Sequence, residues 1–131
     1  MDRLFLDANV LFSAAFKADA RVSRLWRLNN VVLYSSRYAL EEARFNLEEE
    51  GQLHRLMALA QNLHYVEASG RNLPRGITLP GKDAPILSAA IAARATHLLT
   101  GDVRHFGLYF RRTIVGVLIL PPGDYLRTSG R

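Results

Sequence analysis

Apolar positions along this chain fall into two alternating patterns. Short, mostly apolar runs at residues 3–6, 31–34, 64–67, 97–100 and 115–120 have the length and composition of buried strands. Between them, apolar residues recur at helical spacing. Helices are predicted at 10–16 and at 20–28, where Val22, Leu25, Trp26 and Leu28 are interleaved with Arg21, Arg24 and Arg27. Ser35 or Ser36 can cap a helix over 36–49, since a hydroxyl there accepts from a free first-turn amide. Gly51 interrupts it, and 52–62 resumes through Leu53, Leu56, Met57 and Leu59, so the pair reads as a helical hairpin. Residues 83–95 form a strongly apolar helix with Pro85 in its first turn, where a missing N–H costs nothing. A last short helix begins at Pro121 and Pro122 and carries Tyr125 and Leu126, and 127–131 read as a frayed tail.

Strands alternating with helices imply βαβ units and a mostly parallel sheet of five strands. Residues 68–82 hold Gly70, Pro74, Gly76, Pro80 and Gly81 and read as a loop. That is long for a compact domain, and long loops are often functional. There is no composition shift, repeat or low-complexity segment, so 1–131 reads as a single α/β domain.

Composition narrows the function. Apolar residues make up 49% and charged residues 22%, ordinary values for a soluble globular chain. The absence of cysteine excludes disulfides and thiolate metal sites. No apolar run reaches membrane-spanning length, and the first residues read straight into a strand, so the expected location is the cytoplasm, with no membrane partner. The net charge of +5 favours a polyanionic partner, or equally plain solubility.

Four acids carry the chemistry. Asp7 closes the run Leu4, Phe5, Leu6, and Asp102 closes Leu98, Leu99, Thr100, Gly101. Asp83 opens an apolar helix, and Glu42 lies on the helix begun by Ser36. In an open α/β sheet, ligands bind outside the carboxyl ends of the strands. Carboxylates gathered there repel one another unless a cation sits among them, and hard oxygen donors suit Mg²⁺ or Mn²⁺. Each acid also has a bland role. Asp7 and Asp83 can cap helices, Asp102 can hold a turn, and Glu41 and Glu42 can pair with Arg37 or Arg44. Capping alone does not explain why Asp7 and Asp102 both follow central strands while Asp83 opens the helix leading to the second of them. Asn9 and Thr100 are placed to support the acids, or to serve the turns themselves. His54, His64, His97 and His105 lack zinc-ligand spacing.

Leu6, Asp7, Ala8, Asn9, Val10, Leu11 resembles the opening D-x-N motif of PIN domains. Asp83, Ala84, Pro85, Ile86, running on to Leu98, Leu99, Thr100, Gly101, Asp102, is similar to the second half of that family, and Ser36 with Glu42 to the segment carrying its Glu. The resemblance covers nearly the whole chain. It implies a three-layer α/β/α sandwich and metal-dependent endoribonuclease activity with Mg²⁺ or Mn²⁺. In bacteria and archaea it further implies the toxin of a VapC-like toxin–antitoxin pair, often a homodimer, with a protein antitoxin as partner. Asp7, Glu42, Asp83 and Asp102 would then be the metal-binding catalytic acids, supported by Asn9 and Thr100. Many members place a further acid after the last motif. Here Val103, Arg104, His105 and Phe106 follow, which argues against a second tightly held metal and leaves His105 near the metal, on a phosphate, or packing the turn. Glu41 rivals Glu42. Arg104, with Arg21, Arg24 or Arg37, is expected to bind the RNA backbone, since guanidinium forks suit phosphate oxygens. The competing readings are a catalytically idle PIN-like module that binds RNA or an assembly, and a phosphotransfer receiver. The receiver is disfavoured because it needs paired acids after its first strand. A small DNA-binding protein encoded just upstream would favour the toxin role.

Overall fold

Leu4, Phe5 and Leu6, together with Leu98 and Leu99, have no exposed surface, which requires the strands holding them to be covered on both faces. The computed structural model describes residues 1–68 and 73–129. Strands β1 (Asp2–Leu6), β2 (Val31–Ser35), β3 (His64–Tyr65), β4 (His97–Leu99), β5 (Thr113–Ile114) and β6 (Val117–Leu120) form one sheet, ordered β3-β2-β1-β4-β6-β5. Every neighbouring pair is parallel except β5 with β6. The helices are α1 (Ala8–Phe16), α2 (Arg37–Asn46), α3 (Glu50–Ala60), α4 (Ala84–Ala92), α5 (Val103–Phe106) and α6 (Pro122–Ser129), with a 3₁₀ helix at Arg21–Arg27.

Neighbouring residues of β1 show the two covering layers, because successive strand side chains point to opposite faces. Arg3 donates to the carbonyl oxygens of Arg94 and Ala93, just past the end of α4, at 3.1 and 2.6 Å. Asp2, on the other face, accepts from the Tyr125 hydroxyl of α6 at 2.5 Å. The fold is the expected α/β/α sandwich on a mostly parallel sheet.

The chain order sets the position of the site. From β1 the chain steps outward through β2 to β3, then returns past β1 to lay down β4 and β6. The reversal lies between β1 and β4, and a crevice opens at their carboxyl ends. The two ends are joined there: the Asp7 amide donates to the Leu99 carbonyl at 3.1 Å.

Several elements differ from the sequence reading. The sheet has six strands rather than five. The additional strand is β5, and the expected strand at 115–120 begins only at Val117, because Val115 and Gly116, at φ 49° and 81°, make a two-residue turn joining β5 to β6. Positive φ at both loop positions is the hairpin geometry that matches strand twist. Residues 20–28 wind as 3₁₀ rather than α-helix. The break in the helical hairpin comes at Leu47, which is extended, and Gly51 lies inside the first turn of α3. Gln52 explains this start: its side chain accepts from the Glu49 amide at 3.2 Å and donates to the Phe16 carbonyl at 3.0 Å. Residues 127–129, expected to fray, continue α6, while 130 and 131 lie outside the described residues. The described part of the 68–82 loop contains no helix or strand, and Gly70 lies outside the described residues.

Candidate metal centre at the carboxyl edge

Asp7 leaves β1 and caps α1. Its Oδ1 accepts from the Ala8 amide at 2.6 Å, so the capping role is real, but Oδ2 is held separately. Thr100 Oγ1 and Asn9 Nδ2 donate to Oδ2 at 2.8 and 3.1 Å. Asn9 Oδ1 in turn accepts from the Gly101 amide at 2.7 Å. The two loops that follow β1 and β4 are thus laced through one carboxylate. Asp7 is 4% exposed, and desolvation by burial is the main cause that pushes its carboxyl up to about 6. The Thr100 and Ala8 hydrogen bonds oppose that rise, whereas the charges of Asp83 and Glu42 add to it.

Asp83 stands at the N-cap position of α4 yet makes no capping hydrogen bond. Its Oδ2 lies 2.8 Å from His105 Nδ1, which is also 2.9 Å from Asp102 Oδ2. The short distances do not amount to well-directed hydrogen bonds, since Asp83 Oδ2 and His105 Nδ1 are both buried without a properly aligned partner. Burial raises the Asp83 pKa; His105 and Lys82 draw it back, while the Asp102 charge adds to the rise. Asp102 caps α5 with Oδ1, which accepts from the His105 amide at 3.0 Å, leaving Oδ2 turned toward His105.

Glu42 is exposed on α2. It lines a cavity of about 350 Å³ with Ala8, Asn9, Phe12, Ala43 and Asn46, and its charge reaches Asp7. Glu41 points elsewhere, toward Arg44 at 3.4 Å. The four predicted acids therefore form a continuous series of charges, Glu42 to Asp7 to Asp83 to Asp102, along the β1–β4 crevice. Among the described residues, Asp83, Asp102 and His105 can each offer a ligand atom within 4.8 Å of the others. Carboxylate oxygens plus one imidazole nitrogen, with two buried atoms lacking aligned partners, are a donor set that fits a divalent metal ion.

The arginines divide. Arg104 is exposed on α5, the short helix that follows Asp102. Arg37 is not brought to the acids. Its guanidinium sits 4.8 Å from the Tyr65 ring centroid, and it lines a separate cavity with Glu41, Arg44 and His54. One residue step turns a helix by about 100°, so Tyr38 and Glu42 face the crevice and Arg37 and Glu41 do not. The 3₁₀ helix with Arg21 and Arg24 connects the far end of α1 to the start of β2, at the amino edge of the sheet; Trp26 Nε1 donates to Leu59 O there at 3.0 Å. Sequence reasoning passed over Tyr38 and Lys82. Their signals were their spacing, Tyr38 one helical turn before Glu42 and Lys82 directly before Asp83.

The sequence profile of the PIN domain family matches residues 3–104. The chain belongs to the PIN domain family. No protein in the curated set matches the chain in sequence. Among solved structures, this PIN domain is similar to a chain of VapBC2 from Rickettsia felis bound to a DNA fragment from their promoter, at 18% identity. The TM-score is 0.64, over 91% of this chain and 98% of that chain. At that identity the likeness speaks for the fold alone. Among the described residues, no helix is long and apolar enough to cross a membrane.

Proposed function

We propose that this PIN domain is a Mg²⁺- or Mn²⁺-dependent endoribonuclease that hydrolyses RNA phosphodiester bonds and acts as the toxin of a toxin–antitoxin pair in the cytoplasm. The observation that carries this reading is the series of four mutually repelling carboxylates at the switch point, with Asp7 pushed up to about 6. A buried acid with a raised pKa, in a crevice beside other acids, supports a functional-site reading.

Asp7, Glu42, Asp83 and Asp102 would hold the metal, with His105 beside them. When bound there, a divalent cation would supply an activated water and neutralise charge on the scissile phosphate. The chain does the rest. Thr100 and Asn9 fix the Asp7 carboxylate before any ligand arrives, which removes the cost of orienting it. Glu42, exposed and not committed to capping, is the acid able to adjust to the metal and its waters. Arg104 and Lys82 place cations at the rim, against phosphate. An antitoxin partner and a homodimer complete the reading; the first is supported by the similarity to a VapBC2 complex.

The test is cleavage of single-stranded RNA with Mg²⁺ or Mn²⁺, in EDTA, and by Asp7→Asn, alongside growth of cells induced to express each form. Metal-dependent cleavage and growth arrest, both lost in Asp7→Asn, are expected. Binding without cleavage under every condition would instead make the chain an idle RNA-binding module.

A further inference from the structure

Tyr38 stands one helical turn before Glu42 on α2, on the same face. Its hydroxyl donates to the carbonyl oxygen of Lys82 at 2.8 Å, so it bridges α2 to the residue directly before Asp83. Tyr38 is 41% exposed. Burial raises the hydroxyl pKa, and Tyr38 lies near enough to Glu42, Asp83 and Asp7 for their charges to add to that rise. The hydroxyl is engaged on Lys82, which leaves the ring for contact with a ligand. Lys82, whose carbonyl holds that hydroxyl, also carries a charge that reaches Asp83. An aromatic face next to a cation is how proteins hold single-stranded nucleic acid, the base on the ring and the phosphate on the charge.

We propose that Tyr38 is a stacking platform for the base of a nucleotide flanking the scissile phosphate. The proposal rests on the ribonuclease reading and names the substrate feature that the site recognises: an unpaired base rather than a duplex. The tether to Lys82 holds the ring in its binding orientation beforehand, so little side-chain freedom is lost when RNA arrives.

The experiment measures RNA affinity by fluorescence anisotropy in EDTA in the non-cleaving Asp7→Asn background. A short single-stranded oligonucleotide is compared with versions carrying one abasic site at successive positions. Loss of one base stack corresponds to a weakening of about 10-fold. Tyr38→Leu should show that loss, while Tyr38→Phe and Tyr38→Trp, which keep a ring, should bind within about 3-fold of the parent. One abasic position should weaken the parent equally and leave Tyr38→Leu unchanged. If Tyr38→Phe falls as far as Tyr38→Leu, the residue is only a clasp for the Asp83 loop and the platform is refuted. An abasic scan of the parent with no position costing more than about 2-fold refutes it without any Tyr38 variant. Wild-type chain that neither binds nor cleaves RNA overturns the ribonuclease reading and this inference together. Cleavage intact in wild type and equal in Tyr38→Leu overturns this inference alone.

Discussion

The Thr100 hydroxyl donates to Asp7 Oδ2 over 2.8 Å and, on its acceptor side, receives the Asp102 amide at 3.1 Å and Asn9 Nδ2 at 3.2 Å. One fully buried oxygen thus holds the end of β1 and the end of β4 in fixed relation. Thr100→Val keeps the shape and removes that oxygen. It leaves a buried carboxylate short of a charge-assisted donor, a loss of about 1.5–3 kcal/mol at neutral pH. The hydrogen bond favours the charged form of Asp7, so the Asp7 pKa should rise further in this variant. Urea unfolding at pH 8 and at pH 4.5 checks this, with the larger loss expected at pH 8.

Asp7 gives the pH dependence its sign. Its folded pKa of about 6 lies above the ordinary 3.8, so the folded chain holds an extra proton between those values. Stability of the metal-free protein therefore falls as pH rises through about 4 to 6, and the burial of charge costs about 3 kcal/mol above that window. Asp7→Asn removes the charge while keeping the shape. In EDTA at pH 7.5 it should be more stable than wild type by about 1–2 kcal/mol, part of the gain being offset by the amide group facing Asn9. The two proteins should converge near pH 4.5. A variant less stable than wild type at pH 7.5 would show that the Asp7 charge is not under strain.

Metal should invert that order. Mn²⁺ binds the ionised carboxylates, so it releases protons on binding and its affinity should climb as pH passes about 6. At pH 7.5, Mn²⁺ at 100 times its Kd should stabilise wild type by about 2.7 kcal/mol and Asp7→Asn far less. Thermal melts with and without EDTA provide the measurement.

Glu42 and Glu41 separate by face. Glu42→Gln should weaken metal binding and cleavage by about 10-fold or more, a change of roughly 1.4 kcal/mol. Glu41→Gln removes only an exposed pair with Arg44 at 3.4 Å and should stay within about 0.5 kcal/mol of wild type in stability, with cleavage unaltered. Side-by-side calorimetry with Mn²⁺ and cleavage rates decide it. The opposite ranking would place the metal on the other side of α2.

Arg104 is the arginine predicted to touch RNA. Arg104→Ala should lower the slope of log K against log salt by about one unit, whereas Arg21→Ala and Arg37→Ala should leave it unchanged. Affinity titrations across a salt series in the Asp7→Asn background make the comparison.

Val115 offers a stability prediction away from the site. A β-branched residue at φ 49° that is 64% exposed carries strain and contributes little burial. Left-handed backbone costs a non-glycine residue about 1–2 kcal/mol, and Asn tolerates it better. Val115→Asn should raise the melting temperature with activity unchanged, and a lowered one would contradict the strain.

Much of this molecule was legible from residue order. Local periodicity and buried runs placed all five expected strands and most of the helices, and missed only the two-residue β5, because strand and helix side chains repeat with fixed periods of their own. The positions of Asp7, Asp83 and Asp102, after two strands and before one helix, were equally visible, since each depends only on where an element begins or ends. Tertiary structure decided the rest. Whether Asp83 caps its helix or turns toward His105 depends on β4 lying beside β1, a pairing between distant segments. Which of Glu41 and Glu42 faces the crevice was set by the rotation of α2 against α1. Arg21, Arg24 and Arg37 lie away from the acids for the same reason: sequence proximity to a site element says nothing about which edge of the sheet a side chain reaches. The strand expected at 115–120 began only at Val117 because a two-residue hairpin turn absorbed Val115 despite its β-branched side chain. Burial gave Asp7 its displaced pKa, and burial belongs to the packed assembly of many segments rather than to any stretch of sequence.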